Sequence, residues 1–432
     1  MAEDKFDAIV VGAGPAGISA AYTMAEAGMD VVLIERGEYP GSKNVMGGIL
    51  YRQATEEVIP GFWKDAPLER PIIEQRYWFL AEKSAFTTGY KSQDFAEEPY
   101  NCFSVFRAQF DRWFASKAVE KGALLITETV VEDLLWEGDK VIGVKTGRPD
   151  GDLTADVVIL AEGVNSMLTQ KAGLAKGILT DHLAVALKEV IALPKEKIED
   201  RFNLEDGQGA TIELFGQSTM GMVGTGFIYT NKESVSIGVG AILDQIVHNN
   251  VNPNDMLEHL KRHPVVRPLI EGGEIKEYCG HMIPEGGYKA IPKLYANGLM
   301  VVGDSAMLVN GIHREGSNLA MISGKLAGKT AVRAKDAGDF SAHTLSLYKE
   351  ALDETFVIKD LKKYQNASGL LIERPEFLTI YPEIINDVAH EFFTIDSVPK
   401  KEKQKIMMEK VKKRRSLGRL AKDMYRGWRA MG

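Results

Sequence analysis

The segment Gly12-Ala13-Gly14-Pro15-Ala16-Gly17 constrains this chain more than any other, because few folds place three glycines at that spacing between an apolar run and a small-residue run. Residues 7–11 (DAIVV) read as a buried strand, residues 17–27 as a helix of small residues, and residues 31–34 (VVLI) as a second strand. Each glycine has its own reason to be there. The first permits a tight turn, the second lets the backbone approach a pyrophosphate, and the third lets helix and strand pack closely. Phosphate oxygens then meet the N–H groups that the first turn of a helix leaves unpaired. Glu35 lies 18 residues beyond Gly17, at the end of the second strand, where its carboxylate can accept hydrogen bonds from ribose hydroxyls. Arg36 beside it reads as a surface charge near the adenine. This opening predicts a dinucleotide-binding α/β domain.

FAD and NAD share that first motif, and two later segments select FAD. Residues 155–163 (ADVVILAEG) are a continuous apolar strand ending in Glu162-Gly163, suited to a buried parallel sheet near the cofactor. Residues 299–306 (LMVVGDSA) are a second such strand, and they end in Gly303-Asp304. An acidic side chain there can fix the ribityl hydroxyls of FAD, at the strand ends where open α/β sheets bind ligands. Gly316-Ser317-Asn318 then opens a helix in which Ala320, Gly324, Ala327 and Ala331 recur at helical spacing and allow close packing. Its N-terminus is expected at the pyrimidine edge of the isoalloxazine, where N–H groups and the helix dipole favour an anionic reduced flavin. The same logic nominates Arg314 as a flavin-tuning charge, with His313 a weaker candidate.

At 432 residues the chain is long enough for two or three lobes and a large buried cofactor pocket. Hydrophobic content of 45%, charged content of 26% and a mean hydropathy of -0.14 describe an ordinary globular protein. No run approaches the roughly 18 apolar residues that a spanning helix needs. The acidic start, MAEDKFDAIVVGAG, is unlike the basic beginning of a signal peptide, so a cytoplasmic location is expected. Two cysteines far apart in sequence, Cys102 and Cys279, argue against a disulfide scaffold and a cysteine-based metal site, and are too few for a four-thiolate cluster held by this chain alone.

The net charge of -8 hides an asymmetry. Residues 399–432 hold 13 Lys/Arg against 3 acids, a balance of +10, which leaves the remainder at -18. That acidic body argues against nucleic-acid binding, and the basic tail carries no reader motif. Within the tail, Leu417, Leu420, Met424, Trp428 and Met431 recur every three or four residues with basic residues between them. Such a segment can lie on an anionic membrane, dock on a partner, or remain a solvated basic tail, and Gly418 and Gly427 weaken it as a helix.

Taken together, GAGPAG with Glu35, the LAEG turn and the VVGDSA strand end resemble the three-part signature of the glutathione-reductase-like FAD superfamily. GSKNVMGGILY (residues 41–51), VFRAQFDRWF (105–114), LAEGVNS (160–166), YCGHMIPEGG (278–287) and FTIDS (393–397) narrow the resemblance to FixC flavoproteins, which are similar to electron-transfer-flavoprotein–quinone oxidoreductases. The resemblance covers nearly the whole chain. It implies backbone contacts to the flavin from Gly47 and Gly48, a cofactor-side place for Arg107 of the xRxxFD pattern, and adenine pairing by the backbone of Val131. Relatives of this kind usually carry Asp-Gly where this chain has Glu162-Gly163, which puts the contact of Glu162 in question.

The resemblance further implies an assembly with the alpha and beta subunits of an electron-transfer flavoprotein and a small ferredoxin-like iron–sulfur subunit. That assembly oxidises NADH and splits the electrons, with this chain on the quinone-directed branch, toward menaquinone or ubiquinone, at the periphery of the cytoplasmic membrane. Isoprenoid-lipid reductases and monooxygenases share the scaffold, although SAMLVNGIHREG after Asp304 lacks the proline-bearing turn usual in monooxygenases. A non-catalytic, FAD-stabilised assembly subunit is the alternative from another class. The expected catalysis is flavin-mediated electron transfer, so no acid, base or nucleophile is nominated.

The expected domains are a discontinuous FAD-binding domain (1–61, 101–182 and 283–340), an antiparallel-sheet capping domain on the quinone side (62–100 and 183–282), and a helical C-terminal region with the basic tail (341–432).

Overall fold

The computed structural model describes residues 5–42 and 48–431, which form two units. The first comprises residues 1–69, 105–182 and 283–363, and the second residues 70–104, 183–282 and 364–432. The stretch 341–432 is helical but divides between them, with residues up to Lys363 in the first unit and those from Tyr364 in the second.

In the first unit β1 (Phe6–Val11), α1 (Pro15–Glu26) and β2 (Val31–Ile34) follow one another. They are joined by α2 (Arg107–Glu120), β3 (Leu124–Ile126), the antiparallel pair β4 (Val131–Glu137) and β5 (Lys140–Thr146), and β6 (Leu153–Leu160). Later in the chain come β7 (Tyr295–Ala296), β8 (Leu299–Val301) and the 21-residue α3 (Ser317–Ala337), followed by helices Ala342–Asp353 and Phe356–Lys363. The sheet order is β7-β8-β6-β1-β2-β3, and β8, β6, β1, β2 and β3 all run parallel. Strand order therefore reverses between β1 and β6. Such a reversal opens a crevice beyond the carboxyl ends of the strands. Gly12, Ala161 and Val302 immediately follow Val11, Leu160 and Val301 at those ends.

The central strands are apolar throughout because both faces of the sheet are covered. Ile9, Val10, Val158, Ile159, Leu299 and Met300 are all fully buried. Close approach of α1 and α3 explains the small residues in both. A Cβ on Gly324 would overlap the carbonyl oxygen of Ala16, and one on Gly328 would lie 2.9 Å from that of Ala20.

The second unit has its own sheet, in which Leu183–Ala192, Ser234–Ile242, Gly224–Thr230 and Gly209–Gly216 pair antiparallel in that order. Gly209–Gly216 then runs parallel to Leu68–Leu80, which also pairs antiparallel with Ala85–Lys91. A hairpin enforces antiparallel pairing, but Leu80 and Gly209 are far apart in sequence and no hairpin joins their strands. Ile212, Leu214, Ile228, Ile237 and Val239 form the core with Phe202, Met256 and Leu260. Arg70, 1% exposed, pins this sheet: its guanidinium donates to the carbonyls of Asn231 (2.6 Å), Gln208 (2.8 Å) and Lys232 (2.8 Å) and to Glu199 (3.1 Å). The unit ends in helices Ala367–Glu373, Ile380–Phe393, Lys400–Arg414 and Leu417–Met431. Among the described residues no helix is long and apolar enough to cross a membrane.

Candidate cofactor site

The glycine loop between β1 and α1 has the geometry its spacing implies. Gly12 takes φ +103°, a conformation that suits glycine, and a Cβ there would overlap the carbonyl oxygen of Ala161 on the neighbouring strand. A Cβ on Gly17 would overlap the carbonyl oxygen of Gly12. Gly14 differs, since a Cβ on it would meet nothing within 4 Å. Gly14 is the N-cap of α1, Pro15 follows at the first helical position, and no side chain caps the helix. The N-terminal amides of α1 are thus left to an outside acceptor, and Ala16, buried behind them, carries the contact to α3.

Glu35 stands at this loop and braces it. Its carboxylate accepts from the backbone N–H of Ala13 (3.0 Å) and of Gly37 (2.7 Å), and two oxygens with about four acceptor positions leave capacity for ribose hydroxyls. The segment after β3 runs alongside, with Thr129 N–H donating to the carbonyl of Glu35 (3.0 Å) and Glu128 N–H to that of Gly37 (2.9 Å). Val131 follows two residues later, paired with Thr146 at the start of β4. Arg36 is exposed. Gly48 is buried and its carbonyl accepts from Val105 N–H at 2.9 Å, whereas Gly47 lies outside the described residues.

The carboxyl ends of β6 and β8 meet through Ser305, whose hydroxyl donates to the carbonyl of Gly163 at 3.1 Å. The Glu162 carboxylate is spent locally: it accepts from the N–H groups of Leu168 and Thr169 and from the Thr169 hydroxyl, all at 2.8 Å, and caps the short helix Met167–Lys171. Gly163 takes φ +78° with open space where a side chain would be. Gly303 takes φ +64°, and its N–H bonds the hydroxyl of Ser323 on α3 at 3.0 Å.

Asp304 follows, and burial pushes its carboxyl up to about 6 while the nearby Arg107 charge opposes the rise. Arg107, 6% exposed, is clamped by the fully buried Asp111 through two 2.7 Å hydrogen bonds. Burial works against its charge, but Asp111 outweighs burial and holds the guanidinium above its ordinary value.

Gly316 caps the N-terminus of α3 without a side-chain hydrogen bond, and Ser317 and Asn318 form its first turn. The preceding turn closes through mutual backbone hydrogen bonds between Asn310 and Glu315 (2.8 and 3.1 Å), and Arg314 within it takes φ +56°. The Asn318 Oδ1 is buried and has no hydrogen-bond partner among the described residues.

These features fit FAD. An open approach at Gly14 beneath uncapped amides suits a pyrophosphate, Glu35 suits a ribose, and the Asp304 carboxylate, buried beside Arg107, suits donor hydroxyls. Asp111 and Ser305 were not singled out from sequence. Asp111, four residues after Arg107 in one helix, was readable as an ion-pair partner. Ser305 bridges two strand ends distant in sequence, and nothing local announces that.

Comparison with known proteins agrees with this geometry. Residues 7–173 match the family model described as FAD dependent oxidoreductase, and residues 367–432 match the ETF-QO/FixC family C-terminal domain. Fold, site and match define a flavin-dependent oxidoreductase whose cofactor is FAD. Protein FixC of Bradyrhizobium diazoefficiens is 49% identical over 433 residues, covering 100% of both chains. The probable electron transfer flavoprotein-quinone oxidoreductase YdiS of Escherichia coli K12 is 42% identical over 433 residues, again covering 100% of both.

The chain belongs to the FixC family of flavoproteins, similar to electron-transfer-flavoprotein–quinone oxidoreductases.

Among solved structures, a geranylgeranyl bacteriochlorophyll reductase-like protein from Thermoplasma acidophilum has a TM-score of 0.74 at 20% identity, covering 98% of this chain and 100% of that one. The flavin-dependent brominase Bmp2 has a TM-score of 0.67 at 18% identity, covering 90% of this chain and 92% of its own. At such identities the likeness shows the fold alone.

Proposed function

We propose that this protein passes electrons from an electron-transfer flavoprotein toward a quinone, menaquinone or ubiquinone, inside an electron-bifurcating, NADH-oxidising complex. Its partners in that reading are the alpha and beta subunits of the flavoprotein and a small ferredoxin-like iron–sulfur subunit, and it works in the cytoplasm against the membrane. The observation that carries the reading is similarity along the full length to both FixC and quinone-oxidoreductase relatives, through the C-terminal family domain. The cysteine count supports a separate iron–sulfur subunit. Cys102 is buried, with burial pushing its thiol up to about 12, and two cysteines are too few for a four-thiolate cluster.

FAD, when bound, supplies the two-electron redox chemistry. The protein's own residues position it: α1 amides and Gly14 for the pyrophosphate, Glu35 for the adenosine ribose, Val131 beside the adenine, and Asp304 for the ribityl chain. Arg107, held charged by Asp111, keeps positive potential in the crevice near Asp304. Gly316, Ser317 and Asn318 present the α3 N-terminus, whose partial positive charge favours an anionic flavin ring.

Anaerobic addition of NADH to the protein reconstituted with its flavoprotein and ferredoxin-like partners tests this. Flavin bleaching that reverses on adding menaquinone is expected. Quinone-independent oxygen consumption with substrate hydroxylation would overturn the reading in favour of a monooxygenase.

A further inference from the structure

Helix Leu417–Met431 docks on its unit through a narrow face of Asp423, Gly427 and Ala430, whereas an ordinary surface helix turns its apolar stripe to the core. The buried residues are Asp423 and Ala430, and a Cβ on Gly427 would lie 3.5 Å from the Phe377 ring. Asp423 accepts from Arg415 (2.8 Å) and from the hydroxyl of Tyr381 (2.9 Å), and Arg415 also pairs with Glu376 (2.9 Å). This ionic seat fixes the rotation of the helix and turns its apolar stripe outward. Leu417, Met424, Trp428 and Met431, at i, i+7, i+11 and i+14, are 47, 71, 72 and 46% exposed, with Tyr425 beside them at 57%.

The cations on this helix lack ion-pair partners among the described residues. In the preceding helix Lys410 is spent on Glu391, and Arg414 on Glu383 and Asp387. Arg419, Lys422, Arg426 and Arg429 recur every three or four residues, and none makes an ion pair among the described residues. Arg429 lies over the Tyr425 ring at 6.0 Å.

We propose that Leu417–Met431 is an interfacial anchor that lies along an anionic lipid surface, its apolar stripe in the headgroup–acyl boundary and its four free cations beside lipid phosphates. The inference rests on, and sharpens, the peripheral membrane contact in the proposed function. Lipid is favoured over a protein partner on three grounds. Tyr and Trp are the side chains that sit at a lipid–water boundary. An interfacial helix sets a basic face opposite an apolar one, as Arg419, Lys422, Arg426 and Arg429 stand to Leu417, Met424, Trp428 and Met431 on the helix wheel. At 15 residues the helix is roughly 22 Å long, too short to span a ~30 Å hydrocarbon core but suited to lie in its plane.

Co-sedimentation of the full-length, FAD-loaded protein with phosphatidylcholine vesicles, with and without phosphatidylglycerol, tests the anchor. Binding to the anionic vesicles, weakened by salt, is expected. Met424→Ser with Trp428→Ser should weaken it by about tenfold or more. Arg419→Gln with Arg429→Gln should abolish the preference for phosphatidylglycerol, while FAD content and Tm stay at wild-type values because all four side chains are exposed. Wild-type protein that ignores both vesicle types overturns the anchor, as does undiminished binding by the Met424/Trp428 variant. Loss of flavoprotein or iron–sulfur subunit pull-down with vesicle binding intact overturns it in favour of a protein interface. Quinone reduction in detergent reads the proposed function separately, so the two can fail independently.

Discussion

Replacing Asp304 by Asn should separate the stability of the apoprotein from its hold on FAD. An aspartate in the unfolded chain titrates near 3.8, and burial in the crevice raises this one to about 6 against the pull of Arg107. The gap is about two units, so at about 1.4 kcal/mol per unit the ionised carboxylate costs the folded apoprotein about 3 kcal/mol. The folded state holds this proton more tightly than the unfolded one. Stability is therefore full below the unfolded pKa, falls as pH rises from about 4 to about 6, and is level above that.

Asparagine keeps the shape and removes the charge. The Asp304→Asn apoprotein should match wild type near pH 4 and exceed it by up to about 3 kcal/mol at pH 7. The order should reverse with FAD present, because donor hydroxyls reward a carboxylate more than an amide, and the variant should retain less cofactor. Urea unfolding of both apoproteins across this pH range, followed by tryptophan fluorescence, measures the difference. A variant that loses stability with rising pH as steeply as wild type would refute the argument, since the slope would then belong to another group.

Three further predictions concern the framework around the site. Gly17→Ala forces a methyl into the carbonyl of Gly12 and should cost about 3 kcal/mol, whereas Gly14→Ala meets open space, so apoprotein Tm should hold while FAD per chain after gel filtration falls. Arg107→Leu strands the buried Asp111 carboxylate and should cost about 3–5 kcal/mol in urea unfolding, most of it recovered when Asp111→Leu is added. Arg70→Met removes charge-assisted bonds to three carbonyls and Glu199 and should cost about 3 kcal/mol, seen as a lower urea midpoint with little change in FAD affinity per folded molecule.

What was legible in the residues was whatever neighbouring residues enforce on one another. Gly12, Gly14 and Gly17 act through contacts within one turn and one strand–helix pair, and Glu35 sits a fixed distance along the same β-α-β unit, so spacing alone announced the loop and its acid. Gly303-Asp304 and the small residues of α3 were readable for the same reason. Only the folded chain decided the rest, because it depends on residues distant in sequence. Asp304 takes its raised pKa from burial, and the charge that opposes the rise, Arg107, arrives on a helix nearly 200 residues earlier in the chain. Ser305 joins the ends of β6 and β8 by donating to the carbonyl of Gly163, 142 residues earlier. The tail shows the division most plainly: its three-and-four periodicity marks an amphipathic helix, but a wheel does not say which face docks. That choice was made by Asp423, held by Arg415 and Tyr381, because a buried carboxylate must keep its partners and the rotation that satisfies it leaves Trp428 facing water.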